Sequence, residues 1–234
     1  MKLEVYSKKH IHYYSDNLPE LIEDVFRKHM IKRFADVGSG DGSILFALFK
    51  KGLLDNLETI TAVDISEDRI NNARKISDKI ICVIADAGNL EMINNENLDF
   101  VVANQVIEHM PDEEALIKEA FRIIAKGGIF YLSTVFKKWY GWYFYRCNSK
   151  WTLDPTHVKE FTDEAQLLDI VKKYDFTVLV NKKSLYWFAL TDFILKRIGA
   201  KRTAYNNTLL KLLRGIKVPI LGYYNWEILL KKNG

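Results

Sequence analysis

The feature that most constrains this chain is a glycine-rich turn between a short, largely apolar segment and a helical one. Residues 36–42 read DVGSGDG, with glycine at every second position from 38. Residues 34–37 predict a short buried strand, and residues 43–51 predict a helix. Because glycine has no side chain, such a turn lets the backbone come close to a ligand. The segment therefore predicts the first strand, binding loop and helix of an α/β domain.

An acidic residue follows this turn at the distance expected in nucleotide-binding folds. Residues 62–65, AVDI, predict a second buried strand that ends at Asp64, 22 residues after Gly42. A carboxylate at about 20 residues beyond such a turn can accept hydrogen bonds from ribose hydroxyls. The two features together predict a site for an adenosine cofactor. For the glycines alone, a turn that merely connects strand and helix remains the alternative.

The charges of the turn favour S-adenosylmethionine over NAD. A dinucleotide fingerprint, G-x-G-x-x-G, seats a pyrophosphate at the helix N-terminus. Here the glycines alternate as G-x-G-x-G, Asp36 precedes them and Asp41 lies among them. Two carboxylates repel a pyrophosphate, but they attract a sulfonium and an ammonium. We therefore expect the methionine end of S-adenosylmethionine at this turn.

From about Phe34 to Val135 the chain resembles the class I S-adenosylmethionine-dependent methyltransferases, in particular the group that includes quinone- and glycan-biosynthesis enzymes. Beyond the turn and Asp64, the resemblance rests on VIADA at 83–87, LDFVVANQ at 98–105, IEHM at 107–110 and GGIFYLS at 127–133. It implies that the turn holds the methionine part, that Asp64 holds the ribose and that residues 86 and 87 meet the adenine. The end of the fourth strand would face the reacting methyl. The implied cofactor-binding residues are Asp36, Gly38, Ser39, Gly40, Asp41, Gly42, Asp64, Ile65, Asp86, Ala87, Asn104 and Gln105.

The resemblance and the alternation of strand and helix patterns predict one domain with a Rossmann-like α/β fold. We expect a doubly wound, mostly parallel seven-stranded sheet with helices on both faces and an insert after the fifth strand. Its parts are N-terminal lid helices at 1–33, a cofactor-binding core at 34–135, and a substrate-side region with the last strands at 136–234.

Local signals refine these boundaries. Ser66 is expected to cap a helix, and Gly127 and Gly128 are expected to stop the helix that runs from Pro111 to Ile124. Cys82 lies in a strand pattern and is expected to be a packed core thiol. The remaining patterns predict helices within 7–30 and near 163–173, strands near 176–186 and 225–231, and a basic helical region at about 189–215.

An aromatic insert follows the fifth predicted strand. Residues 137–146, KKWYGWYFYR, place six aromatic side chains between basic ones. This insert is expected at the carboxyl edge of the sheet, where aromatic faces can stack on a sugar, a quinone or a base. A small core within the insert, or a dimer contact, is the alternative. The expected acceptor-binding residues are Trp139, Trp142, Tyr143 and Arg146, together with Tyr14 from the lid, whose alternative role is packing within the lid.

Two histidines are candidates for a catalytic base. His157 lies in a segment, HVKEFT, that in related methyltransferases leads towards the substrate, and Asp154 and Thr156 lie close enough to orient its imidazole. His109 follows the fourth strand, although it could only brace the cofactor loop. Methyl transfer to a hydroxyl or an amine requires positioning and the loss of a proton, which histidine can accept near neutral pH. The other histidines, His10, His12 and His29, are expected to be solvated or packed in the lid.

Charge is distributed unevenly along the chain. Residues 1–135 carry 16 Lys and Arg against 22 Asp and Glu, and residues 136–234 carry 18 against 8, so that −6 and +10 give the net +4. The basic half could meet phosphate, nucleic acid or lipid, or its lysines could only solubilise an aromatic surface. The basic amphipathic pattern of 188–234 would suit peripheral contact with an anionic membrane, with packing on its own sheet as the alternative.

Three functions are compatible with these features. The first is methylation of a small molecule, most simply O-methylation of a sugar, a lipid-linked glycan or a quinol. The second is methylation of tRNA or another RNA through the basic half, and the third is non-catalytic binding of S-adenosylmethionine. No Cys/His cluster has zinc-ligand spacing, so no metal site is expected. Two cysteines and the absence of a long apolar run predict a cytoplasmic protein, while the oligomeric state is left open.

Overall fold

The computed structural model describes residues 14, 16–143, 145–147, 150–189, 209 and 216–234. His10 and His12 of the predicted lid, and most of the basic helical region at 189–215, therefore lie outside the described residues. Within the described ranges, no helix is long and apolar enough to cross a membrane.

In the part of the chain that the structure describes, seven strands form one sheet and five helices flank it. The strands of the sheet are β1 (Arg33–Val37), β2 (Thr59–Asp64), β3 (Ile80–Ile84), β4 (Leu98–Asn104), β5 (Ile124–Lys137), β8 (Phe176–Ala189) and β9 (Lys217–Lys232). A separate hairpin pairs β6 (Tyr145–Cys147) with β7 (Lys150–Thr152). The helices are α1 (Glu20–Lys28), α2 (Ser43–Lys50), α3 (Glu67–Ala73), α4 (Glu113–Ile123) and α5 (Ala165–Lys172), and residues Ile107–His109 form one 3₁₀ turn.

The order of the strands confirms the predicted doubly wound sheet. It runs β3-β2-β1-β4-β5-β9-β8, with β1 to β5 parallel and β9 inserted antiparallel between β5 and β8. The chain reverses its direction of winding between β1 and β4. In open α/β sheets, ligands bind outside the carboxyl ends of the strands at such a switch point. The glycine-rich turn follows β1 at this point.

Alternating side chains of the central strands build a core on each face of the sheet. In β1, Ala35 and Val37 pack into a cluster with residues of α4 and α5, whereas Phe34 packs with residues of α1, α2 and α3 on the opposite face. This alternation follows from the two-residue period of a strand. The sheet is therefore buried between two helical layers, which leaves its edge at the carboxyl ends as the place for a site.

Three local predictions are wrong. Helix α4 ends at Ile123, and Gly127 and Gly128 lie inside β5, because the chain becomes extended already at Ile124, which pairs with Leu98 of β4. Ser66 stands at the predicted N-cap position of α3, but the capping bond expected of its side chain is absent, and its backbone N–H donates to Oδ1 of Asp64.

Cys82 is the third. It is half-buried instead of fully packed, because β3 is an edge strand of the sheet. Asp112, by contrast, caps α4 by accepting bonds from Glu114 N and Ala115 N.

Lys232 fastens the end of β9 to the junction of α4 and β5. Its side chain is buried, and Nζ donates hydrogen bonds to the carbonyls of Phe121 and Ile124 at 2.9 Å each and to Glu96 Oε1 at 3.2 Å. A buried lysine is tolerated when its ammonium is satisfied in this way.

Lys232→Met is expected to lower the free energy of unfolding by about 1–3 kcal/mol, because two buried carbonyls lose their donor. The neighbouring Lys231 is exposed, so Lys231→Met is the matched control and should change stability by less than about 0.5 kcal/mol. Urea unfolding of both variants measures the difference. Equal effects of the two substitutions would show that the buried ammonium contributes nothing specific.

Candidate active site

The glycine-rich turn is shaped by contacts on both sides and open in its middle. Gly38, Gly40 and Gly42 all have positive φ, at 71°, 56° and 84°. A Cβ on Gly38 would lie 2.3 Å from Val106 Cγ2, so this glycine lets the turn pack against the segment that follows β4. Around Gly40, among the residues that the structure describes, only a guanidinium nitrogen of Arg69, at 3.9 Å, lies within 4 Å of such a Cβ. A ligand can therefore approach the backbone most closely at Gly40.

Asp64 joins this turn to the end of β2. Its Oδ2 accepts a hydrogen bond from Gly40 N at 2.9 Å, and its Oδ1 accepts one from Ser66 N at 2.9 Å. The carboxylate is nearly buried. The acidic residue predicted to hold a ribose thus also fixes the turn and the start of α3.

Asp36 and Ser39 present buried polar atoms without a partner. Asp36 Oδ2 and Ser39 Oγ are both inaccessible and make no hydrogen bond within the described residues. Burial, together with the nearby charge of Asp64, raises the pKa of Asp36 to about 7. A carboxyl buried in this way is costly unless a cation or a donor reaches it. An ammonium such as that of a methionine moiety fits this requirement.

Asp41 and Tyr14 lie on the other side of the turn. Asp41 Oδ1 accepts a hydrogen bond from Asn72 Nδ2 at 2.9 Å, and its carbonyl accepts one from Tyr14 Oη at 2.7 Å. The ring of Tyr14 stacks on Phe46 of α2, with centroids 4.6 Å apart. Both residues line a groove of about 340 Å³ between α2 and α3. The described contacts of Tyr14 are therefore with the glycine-rich turn and α2 and not within the lid, so its role towards the acceptor stays a prediction. The carboxylate of Asp41 is directed to α3.

The residues expected at the adenine lie at the carboxyl ends of β2 and β3. Ile65 directly follows Asp64 and exposes about half of its side chain. Asp86 is exposed and accepts a hydrogen bond from Gly88 N at 2.7 Å, while Ala87 packs against the core. An exposed apolar side chain and a carboxylate at neighbouring strand ends leave room for a purine with an amino group.

Asn104 ends β4, and Gln105, which follows it, has a strained backbone and takes part in a network of side-chain hydrogen bonds. Gln105 has a φ of +58°, which is unusual for a residue with a side chain. Its Nε2 donates to Asn225 Oδ1 at 3.0 Å and to Ser133 Oγ at 3.3 Å, and Ser133 Oγ in turn donates to Asn104 Oδ1 at 2.7 Å. Such strain is maintained by surrounding bonds and is frequent at functional sites.

His109 and His157 are brought together next to this strand end. Their ring centroids are 4.9 Å apart. His157 Nδ1 lies 2.9 Å from Glu160 Oε1, and His109 Nδ1 lies 3.1 Å from Thr156 Oγ1. The buried Glu108 accepts a hydrogen bond from Thr134 Oγ1 at 3.0 Å through Oε2, while its Oε1 has no partner. Glu108, His109 and His157 thus form one cluster, which we call the histidine cluster.

The two imidazoles have opposite electrostatic environments. Burial, and to a smaller degree the charge of His157, lowers the pKa of His109 to about 4. Burial alone would also lower the pKa of His157, but the hydrogen bond that its imidazole donates to Glu160 and the charge of Glu108 raise it. Burial raises the pKa of Glu108 itself to about 7. His109 is therefore neutral near pH 7, and His157 is the more basic of the two.

The histidine cluster also has the composition of a metal-binding set. Each of Glu108, His109 and His157 offers one ligand atom within 4.8 Å of the others. Two histidines and a carboxylate are a donor set found with Zn²⁺ and Fe²⁺. No sequence pattern indicates this donor set, since the residues come from segments 48 positions apart.

Glu160 and Arg69 are two residues that sequence reasoning missed. Glu160 follows His157 by three positions, and this H-x-x-E spacing was the available signal. Arg69 extends from α3 over Gly40, and its charge contributes to the low pKa of His109. No sequence pattern indicates that Arg69 approaches both Gly40 and His109, because these two residues are close together only in the fold.

The aromatic insert divides into an inner and an outer part. Tyr143 packs with Val135, Ile220 and Tyr223 in a small core of the insert, as the alternative for this segment predicted. Trp139 instead exposes 91% of its surface. The ring centroids of Trp142 and Trp151 are 5.6 Å apart, and the guanidinium of Arg146 lies 4.1 Å from the centroid of the same Trp151 ring. Of the residues expected to bind the acceptor, some are therefore packed and others exposed.

Comparison with known proteins agrees with this arrangement. Residues 35–132 match the model of a family described as a methyltransferase domain. The human arsenite methyltransferase is 27% identical over 151 residues, which cover 56% of this chain and 37% of that protein. The ubiquinone biosynthesis O-methyltransferase of Coxiella burnetii is 28% identical over 107 residues, which cover 44% of each protein. The chain thus spans less than half the length of these curated relatives.

Solved structures share the fold of nearly the whole chain. The BH2331 protein of Bacillus halodurans superposes with a TM-score of 0.64 over 91% of this chain and 99% of its own, at 15% identity. The [4+2]-cyclase SpnF superposes with a TM-score of 0.61 over 91% of this chain and 82% of its own, at 17% identity. Taken with the family match, the loop after β1 and Asp64, these findings identify residues 35–132 as a class I S-adenosylmethionine-dependent methyltransferase domain.

Proposed function

We propose that this protein transfers a methyl group to a hydroxyl of a small molecule, which is a sugar, a lipid-linked glycan or a quinol. The observation that carries the proposal is the histidine cluster beside the carboxyl end of β4. A hydroxyl loses its proton on methylation, and a positioned imidazole can accept it. The name of the Coxiella burnetii relative, an O-methyltransferase, supports an oxygen acceptor.

In this proposal Asp36, Ser39 and Asp64 hold the cofactor. S-adenosylmethionine supplies, when bound, a methyl group on a positively charged sulfur. The partnerless oxygen of Asp36 attracts the methionine ammonium, whose charge removes the cost of the buried carboxyl. Each oxygen of Asp64 already accepts one backbone bond and has the capacity for a second, which suits two ribose hydroxyls. Ile65 and Asp86 meet the adenine.

His157 is the base in this proposal. A carboxylate only accepts hydrogen bonds, so Glu160 assigns the proton of the neutral imidazole to Nδ1 and leaves the lone pair on Nε2. Glu160 also favours the imidazolium that forms when Nε2 takes a proton, which agrees with the raised pKa of His157. His109 is neutral and contacts the ring of His157, so it serves to position the base or the acceptor.

The charges near His157 favour a small acceptor over RNA. Glu108, Asp154 and Glu160 surround this histidine closely enough to raise its pKa, and the same carboxylates repel a phosphate backbone. The basic segment that supports RNA binding lies mostly outside the described residues. A non-catalytic role is the third hypothesis, since the fold occurs also in SpnF, a [4+2]-cyclase. A cytoplasmic location remains a prediction from the two cysteines.

Asp36→Asn is expected to weaken the binding of S-adenosylmethionine by roughly tenfold or more, because a charge-assisted bond is lost. The same substitution should stabilise the free protein above neutral pH. The folded-state pKa of about 7 lies above the ordinary value of 3.8, so ionisation destabilises the fold as the pH rises from about 4 to 7. Calorimetric binding and urea unfolding at acidic and mildly basic pH measure both effects.

Asp78→Asn, at an exposed acid, is the control for this pair of measurements. Binding by the Asp36 variant that equals binding by the control would remove Asp36 from the cofactor site. An unchanged pH dependence of stability would show that Asp36 does not titrate in the folded protein as described.

His157→Gln is expected to reduce methyl transfer by about 10²–10⁴-fold and to leave binding of S-adenosylmethionine unchanged. The assay uses the best acceptor from a screen of quinols and glycans, and His29→Gln, at an exposed position, is the control. A role as base also predicts full activity after dialysis against EDTA. Loss of activity that Zn²⁺ restores would assign the histidine cluster to a metal ion instead.

A further inference from the structure

An exposed apolar surface lies just after the end of β5 and beside the first half of β9. Trp139 exposes 91% of its surface, Leu221 71%, Trp142 51% and Tyr140 49%. Large apolar side chains in such positions are costly in water, and a group of them marks an interaction site. We call residues 138–142 together with Leu221 the aromatic tip. We propose that the aromatic tip inserts into the interface of an anionic lipid bilayer.

The two segments of the aromatic tip are held rigidly against each other. Lys138 N donates to the carbonyl of Gly222 at 2.8 Å, and Gly141 N donates to the carbonyl of Lys138 at 2.8 Å. A Cβ on Gly222, whose φ is +80°, would lie 2.5 Å from Gly141 Cα, so only glycine permits this approach. Trp139 and Leu221 are therefore carried by two backbone segments that contact each other, and both side chains are exposed.

The charge around the aromatic tip complements an anionic surface. Residues 138–153 contain three Lys and Arg and no Asp or Glu, and residues 216–226 contain one Lys and no acid. Trp and Tyr favour the boundary between lipid headgroups and acyl chains, and nearby Lys and Arg are attracted to anionic headgroups. This combination of exposed aromatics, an exposed leucine and unbalanced basic charge fits a bilayer.

A nucleic acid fits the aromatic tip less well. Single-stranded nucleic acids bind to rings that stack with successive bases along a basic groove. Within the aromatic tip, the second most exposed apolar side chain is that of Leu221, which has no aromatic face. Trp139 and Tyr140 are set edge to face, with an interplanar angle of 89°, so the two rings do not form one platform.

The aromatic tip is connected to the histidine cluster. Lys137, the last residue of β5, donates to the carbonyl of Trp151 and lies 3.8 Å from Glu160 Oε2. Glu160 is the partner of His157. A membrane at the aromatic tip would thus face the same edge of the sheet as the site. Lipid binding itself does not depend on the proposed function, whereas delivery of a lipid-linked acceptor to His157 does.

Co-sedimentation with vesicles tests the proposal. The full chain is mixed with vesicles of phosphatidylcholine alone or of phosphatidylcholine with phosphatidylglycerol, at low and at moderate salt. We expect binding to the anionic vesicles, weakening with salt, and a blue shift of tryptophan fluorescence. The double substitution Trp139→Ser with Leu221→Ser should reduce the binding at least about tenfold.

Met30→Ser with Met92→Ser is the matched control. These methionines are exposed to 85% and 78% but lie away from the aromatic tip, after α1 and between β3 and β4. The proposal is overturned if the unmodified chain ignores anionic vesicles, if both double variants bind equally, or if Trp139→Ser abolishes retention of single-stranded RNA while vesicles are not bound. Calorimetric binding of S-adenosylmethionine, measured on the same samples, reports separately on the cofactor site.

Discussion

The carboxylate of Asp64 is the interaction on which the geometry of the cofactor side depends. It accepts one backbone hydrogen bond from the glycine-rich turn and one from the start of α3, and in this way it joins the ends of β1 and β2. Both bonds are short and nearly buried, so the turn has little freedom to move. The spacing between the glycines and this acid therefore has a structural cause in addition to any role towards a ribose.

Negative charge is concentrated around the switch point of the sheet. Asp36 and Asp64 face each other on one side, and Glu108 and Glu160 flank His157 on the other. Burial, with a smaller contribution from the neighbouring carboxylate, raises the pKa of Asp36 and of Glu108, and carboxyls buried in this way weaken the fold. A protein that retains them accepts a cost in stability for a site that attracts cationic groups and excludes phosphates. This preference suits the sulfonium cofactor of the family and a neutral acceptor.

The fold could be predicted from the sequence because it depends on local patterns, whereas the cofactor contacts expected of the turn and of Asp64 remain predictions. The turn, Asp64 and the strand periodicities were readable from residues close together in the chain, and the sheet order followed from the family resemblance. The direction of Asp41 towards Asn72, the position of Tyr14 on Phe46 and the end of α4 at Ile123 depend on which neighbours are available in three dimensions. The pairing of His109 with His157 could be suspected, but the roles of Glu160 and Arg69 arise from contacts that no short motif specifies.

The antiparallel insertion of β9 has a consequence for the order in which the chain can fold. Strands β1 to β5 can pair as soon as residues 33–137 are available, whereas β8 has no partner in the sheet until residues 217–232 arrive between it and β5. Contacts of such wide sequence separation form slowly. During synthesis the cofactor half can thus be complete while the open edge of β5 still awaits its neighbour, and this edge is where a chaperone would be needed.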